Sequence, residues 1–100
     1  MNIKRFVLAQ QKAGTTVIAA ASPGEKHKVI GAVFSMNSVG HFWFTGPVAL
    51  TGKIFVLKSS HLIIPVNTDI PWLETDYDSP LSIVTASGAV SGVILYVTES

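Results

Sequence analysis

The chain has 100 residues, enough for one hydrophobic core and no second domain, since a chain of this size buries only about two thirds of its unfolded surface. Apolar residues make up 48% of it and Asp, Glu, Lys and Arg together 13%, about half the usual charged share, so a protein partner is expected to cover what one small core cannot. The net charge is +1 and the seven basic residues are scattered from Lys4 to Lys58, which excludes the basic stripe of a nucleic-acid binder, and the absence of cysteine excludes disulfides, thiolate catalysis and cysteine-held metal centres.

Helical periodicity is nearly absent, and short β-branched or aromatic runs alternate with Gly, Pro, Asn, Asp and Ser, the pattern of an antiparallel all-β domain. The first run, Ile3 to Gln10, carries faint features of a signal peptide: Lys4 and Arg5 precede Phe6-Val7-Leu8-Ala9, and small residues follow at Ala19 to Ser22. Gln10, Gln11 and Lys12 interrupt the apolar stretch after four residues, so residues 1–14 are expected to be an N-terminal strand or ordered arm, with the sandwich domain over 15–100. Thr15 to Ala21 is the second run and ends at the turn Ser22-Pro23-Gly24-Glu25. Lys26 to Met36 is the longest. His41 to Thr45 and Ile54 to Leu57 follow, with Gly46-Pro47 and Thr51-Gly52 between them. His61 to Val66 closes at Asn67-Thr68-Asp69, and Ile70-Pro71-Trp72-Leu73 can only be a short edge segment, because proline cannot donate to a ladder. Leu81 to Ala86 and Val90 to Thr98 complete the chain. About eight short strands at this spacing predict an antiparallel two-sheet β-sandwich, jelly-roll-like ahead of an immunoglobulin-like order. The longest apolar runs, such as Val93 to Val97, fall far below the roughly 18 to 20 residues of a membrane-spanning helix, so no membrane partner is expected.

Alternation in Lys26 to Met36 puts Ile30, Ala32, Phe34 and Met36 on one side and Val29, Gly31 and Val33 on the other, both apolar. The last strand repeats this, with Ile94 and Tyr96 opposite Val93, Leu95 and Val97. A half-wet sheet face would alternate with polar residues, so Val29, Val33, Val93 and Leu95 are candidate interface residues, covered by a neighbouring subunit. In Phe42-Trp43-Phe44, core phenylalanines would turn Trp43 outward as a further interface anchor, while a Trp43 capped by a loop of its own subunit is the competing reading. Trp72 is expected to plug one end of the sandwich.

No catalytic constellation assembles. His27, His41 and His61 lie in three different runs with no His-x-His pair, so no metal site and no cofactor is expected. Glu74-Thr75-Asp76-Tyr77-Asp78 alternates oxygens but lacks the glycine turn of a calcium loop, and reads as a solvated loop. There is no Gly-x-Ser-x-Gly elbow, and Gly88 and Gly92 flank a strand rather than open a phosphate-binding helix.

The order of several motifs resembles a family of small phage virion proteins of the head decoration, or cement, kind. The matching stretches are Ala-Ala-Ala-Ser-Pro-Gly-Glu-Lys-His-Lys-Val-Ile-Gly (19–31), Leu-Thr-Gly (50–52), Leu-Ile-Ile-Pro-Val-Asn (62–67), Pro-Trp-Leu-Glu-Thr (71–75), Leu-Ser-Ile (81–83) and Val-Ser-Gly-Val-Ile-Leu-Tyr-Val (90–97). They cover most of the chain from residue 15 onward. Where similar proteins tend to carry a glycine before the Leu-x-Leu strand, this chain has Asp78-Ser79-Pro80. The resemblance implies a jelly-roll-like sandwich, commonly a homotrimer, that sits on the capsid surface of a bacteriophage and clamps neighbouring copies of the major capsid protein. It also implies residence in the virion, and in the host cytoplasm during assembly. The alternative is a glycan- or receptor-binding β-sandwich module of a phage fibre or adhesin.

Overall fold

The computed structural model describes residues 2–11, 13–36, 40–46, 50–52, 54–56, 61–86 and 88–100. Lys12, Pro47, Leu57 and Lys58, named above, lie outside them. The strands are β1 (Lys4–Gln11), β2 (Gly14–Ala19), β3 (Lys26–Met36), β4 (Gly40–Thr45), β5 (Ile54–Val56), β6 (His61–Ile64), the two-residue β7 (Leu73–Glu74), β8 (Leu81–Thr85) and β9 (Val90–Glu99). Among the described residues there is no helix long and apolar enough to cross a membrane.

All strand pairs are antiparallel, and four of them are nested, β4 with β5, β3 with β6, β2 with β8 and β1 with β9, while β3–β9 and β4–β8 are the contacts made by rolling. That is one long hairpin rolled up on itself, and it yields two sheets, β1-β9-β3-β6 (sheet A) and β2-β8-β4-β5 (sheet B), with β7 continuing β6's side of β3. The order is that of a jelly roll, the class expected from the sequence, with the strand order itself supplied by the pairing. Residues 4–11 belong to sheet A, paired with β9 from Lys4 opposite Tyr96 to Gln11 opposite Val90, and they send Leu8 into the core.

Sheet A contributes Leu8, Val29, Ala32, Phe34, Met36, Val90 and Ile94 to the core, and sheet B answers with Ile18, Phe42, Phe44, Leu81 and Ile83. Phe34 is the centre of an aromatic cluster, its ring 4.9 Å from Phe42, 5.7 Å from Phe44 and 6.2 Å from Trp72 at the tilted angles aromatic pairs favour. Trp72 reaches that position because residues 67–75 run along the free margin of β3. Asn67 N donates to Ile30 O at 2.9 Å, Trp72 N to Val29 O at 2.8 Å and Thr75 N to His27 O at 2.8 Å.

Two local departures shape the surface. In β3 the register shifts, so that Val29 stands opposite Tyr96 and Gly31 opposite Leu95, with Ile30 as the extra residue of a bulge. The strict alternation expected from sequence therefore fails at one point: Val29 is fully buried in the core and is not an interface residue. In the loop before β8, Asp78 takes a left-handed φ of 60°, a conformation that glycine adopts without steric cost. Its Oδ1 accepts from Gly24 N at 2.5 Å and its own N donates to Glu25 O at 2.9 Å, which ties this loop to the β2–β3 turn. Gly92 has no room for a side chain: at φ +148° a Cβ would lie 1.8 Å from Val33 O.

Candidate interaction surfaces

Directly opposed residues of neighbouring strands share a face, so the registers define the outer surface of sheet A row by row. One row crosses all four strands as Val7, Val93, Val33 and Ile63. The next runs Arg5, Leu95 and Gly31, and the missing side chain of Gly31 is filled by Val66, whose Cγ2 lies 2.8 Å from where a Cβ would stand. Val7 is 58% exposed, Val33 44%, Ile63 63% and Val66 56%, while Val93 and Leu95 are half-buried between them. Val33, Ile63, Ile64, Val66, Val93 and Leu95 also line a shallow hollow of about 180 Å³.

This apolar centre has a polar rim. At one end Lys26 and Lys28 approach Glu74 at 3.5 and 4.0 Å, and Lys28 also binds Glu99. The hydrogen bond from Lys28, more than the plain attraction of Lys28 and Lys26, holds the Glu99 carboxyl below its usual range. The same bond, with Glu99, Glu74 and Tyr77 adding to it, holds the Lys28 ammonium above its own. At the other end Ser35 stands opposite both His61 and Ser91. Apolar middle and polar margin are the anatomy of a protein interface.

The outer face of sheet B is different. Phe42 and Phe44 are fully buried, which turns Trp43 outward in a row with Val84 and Thr15. Trp43 is half-buried and stacks on His41 with ring centroids 6.2 Å apart and planes 18° apart, and Val17 is 54% exposed on β2, across β8. The sequence-derived interface residues thus divide: Val33, Val93 and Leu95 come together on sheet A, Trp43 lies on the opposite surface, and Val29 is internal. Val7, Ile63 and Val66 escaped the sequence reading, because only cross-strand register shows that they join Val33 and Val93.

The three histidines stay apart. His27 is buried, with Nε2 2.9 Å from Ala20 O and Nδ1 2.8 Å from the Thr98 hydroxyl. A carbonyl can only accept, so Nε2 carries the proton and, in the neutral ring, Nδ1 accepts from Thr98. This hydroxyl–imidazole–carbonyl chain ties the ends of β2, β3 and β9 together. It lies beside a polar cleft of about 500 Å³ that Lys4, Glu25 and Tyr96 also line. The oxygens of residues 74–78 do not converge: Glu74 pairs with lysines, the Thr75 hydroxyl accepts from His27 N at 3.0 Å, and Asp78 is bound to Gly24. Among the described residues no three His, Asp or Glu side chains could hold a metal ion.

No family model matches the chain, and no curated protein matches it. Among solved structures, a chain in the structure of the infectious bursal disease virus Gx strain is similar, with a TM-score of 0.44 and 12% identity over 95% of this chain. The present chain spans 31% of the length of that one.

Proposed function

We propose that this chain is a non-catalytic structural protein of a virion, a capsid decoration protein that trimerises and clamps coat subunits of a bacteriophage head. The observation that carries the reading is the outer face of sheet A, four strands wide and apolar in the middle, on a chain with 13% charged residues. A protein that functions alone in water has no use for such a face, whereas an oligomer buries it. The motif order shared with head decoration proteins supports the virion setting, and the jelly-roll winding suits a rigid scaffold. Engagement of the His27–Thr98 pair in holding strand ends fits a structural role for that histidine.

In this reading sheet A serves self-association, and the opposite surface, with Trp43, meets the coat. Binding across coat-subunit joints adds buried area only in the assembled shell, so mass action favours the shell over its dissociated subunits. The stacked His41–Trp43 pair favours one rival, a sugar-binding module, since a half-exposed flat aromatic surface also suits a pyranose ring. Co-sedimentation with capsids, run beside a glycan array, separates the two. Retention on capsids with an empty array supports decoration, and array binding without capsid retention overturns it.

A further inference from the structure

The outer face of sheet A is not uniform from edge to edge. Its β1–β9 half carries a protruding residue, Val7, and the cation of Arg5. Its β3–β6 half carries the exposed Ile63 and Val66, most of the lining of the hollow beside Gly31, which Val93 and Leu95 of β9 close on the other side, and, at the margin of β3 three residues beyond Val66, the exposed Asp69. Asp69 is held in a turn in which the Asn67 side chain accepts from the backbone N of Asp69 and of Ile70, each at 3.0 Å. Neither Arg5 nor Asp69 has an ion-pair partner among the described residues.

We infer that the two halves are each other's partners: the β1–β9 half of one copy seats on the β3–β6 half of the next, Val7 entering the hollow and Arg5 pairing with Asp69. The inference rests on the self-association proposed above and assigns its geometry. Three copies that turn sheet A toward a common axis parallel to the strands meet in this way, half against half, and the contact closes after three steps. Like halves set against one another do not fit: β1 on β1 brings Arg5 to Arg5 and Val7 to Val7 and leaves both hollows open. Like charges face to face are the arrangement that interfaces select against. A front-to-back contact, sheet A of one copy on sheet B of the next, uses opposite surfaces and stacks copies without closing.

The absence of cysteine makes this directly testable by cross-linking. Val7 and Ile63 stand in one row, three strand spacings apart, or about 14 Å, twice the roughly 7 Å that a disulfide can bridge between Cα atoms, so no bridge forms within one copy. Between adjacent copies the proposed seating brings the two positions together. Both side chains are exposed, so cysteine at either leaves the fold intact. Under mild oxidation the Val7→Cys/Ile63→Cys variant is expected to end as a covalent trimer on a non-reducing gel, with each single variant remaining monomeric there and a mixture of the two singles giving linked pairs. A double variant that stays uncrosslinked while the wild type sediments as a trimer overturns the inference and leaves self-association standing. Dimers joined by two bridges as the end product overturn the threefold seating. A wild type that sediments as a monomer removes the self-association reading itself. The ion pair is tested separately: Arg5→Glu and Asp69→Arg each weaken assembly by roughly fivefold, as a rim pair of up to ~1 kcal/mol allows, and the double reversal restores it. Failure of the double reversal to restore assembly removes the pair.

Discussion

Val29 and Val33, four residues apart in one strand, point to opposite faces of sheet A. An even spacing should place them together, and the bulge at Ile30 is what separates them, sending Val29 into the core and leaving Val33 in the outer apolar row. Val29→Ala is therefore expected to lower folding stability by about 2 kcal/mol, the sum of lost methyl burial and the cavity left behind. Val33→Ser should leave the melting temperature of the dissociated chain nearly unchanged and weaken assembly. Denaturation and sedimentation of both variants check this pair.

Phe44 and Trp43 make the corresponding contrast in sheet B. Phe44 is fully buried against Phe34, Phe42 and Trp72, so Phe44→Ala should cost roughly 3 to 5 kcal/mol of folding stability. Trp43→Ala is expected to leave the oligomer intact and to lose retention on capsids, with about 2 kcal/mol or more per contact as for a truncated hot-spot residue. Early melting of Trp43→Ala with capsid retention unchanged would make Trp43 a packing residue.

Removing the His27 ring strands the Ala20 carbonyl and the Thr98 hydroxyl at the junction of three strands. His27→Ala is expected to cost about 2 to 4 kcal/mol in chemical denaturation, as the loss of a buried, doubly hydrogen-bonded group does. Both ring nitrogens face protein oxygens, so a strong chelator should leave the wild-type melting temperature where it was. A drop of several degrees on chelation would mean that a metal holds the fold.

The Lys28–Glu99 pair sets a pH dependence of known sign. The Glu99 carboxyl lies lower in the folded chain than unfolded, so its contribution is present above the ordinary carboxylate range and is lost as pH falls through the lowered folded value. The Lys28 ammonium lies higher in the folded chain, so its contribution is complete below the ordinary lysine range and is lost as pH rises through the raised value. Glu99→Gln should thus differ from wild type at neutral pH and converge with it in acid. Both groups are open to solvent, so the difference should also shrink in high salt.

Strand boundaries and the two-sheet class were legible because periodicity and turn residues are local signals, whereas which side of Phe42-Trp43-Phe44 faces the core was left open by alternation alone. The surplus of apolar residues pointed to an exposed apolar surface without locating it. What the chain order hid was non-local: the strand pairing that aligns Val7, Val93, Val33 and Ile63 depends on which strands become neighbours, and no window of sequence contains that. The bulge at Ile30 was hidden for another reason. It carries neither glycine nor proline at the extra residue, and its neighbour Gly31 reads equally well as ordinary spacing. The filling of Gly31 by Val66 likewise needs the path of residues 65–67 across β3.

The most direct test of the account is the mass of the purified chain in solution, measured by sedimentation equilibrium at micromolar concentration. A self-associating decoration protein predicts a single species of three times the 10.6 kDa chain mass. A stable 10.6 kDa monomer would contradict it, since the outer row of sheet A would then face water with nothing to cover it.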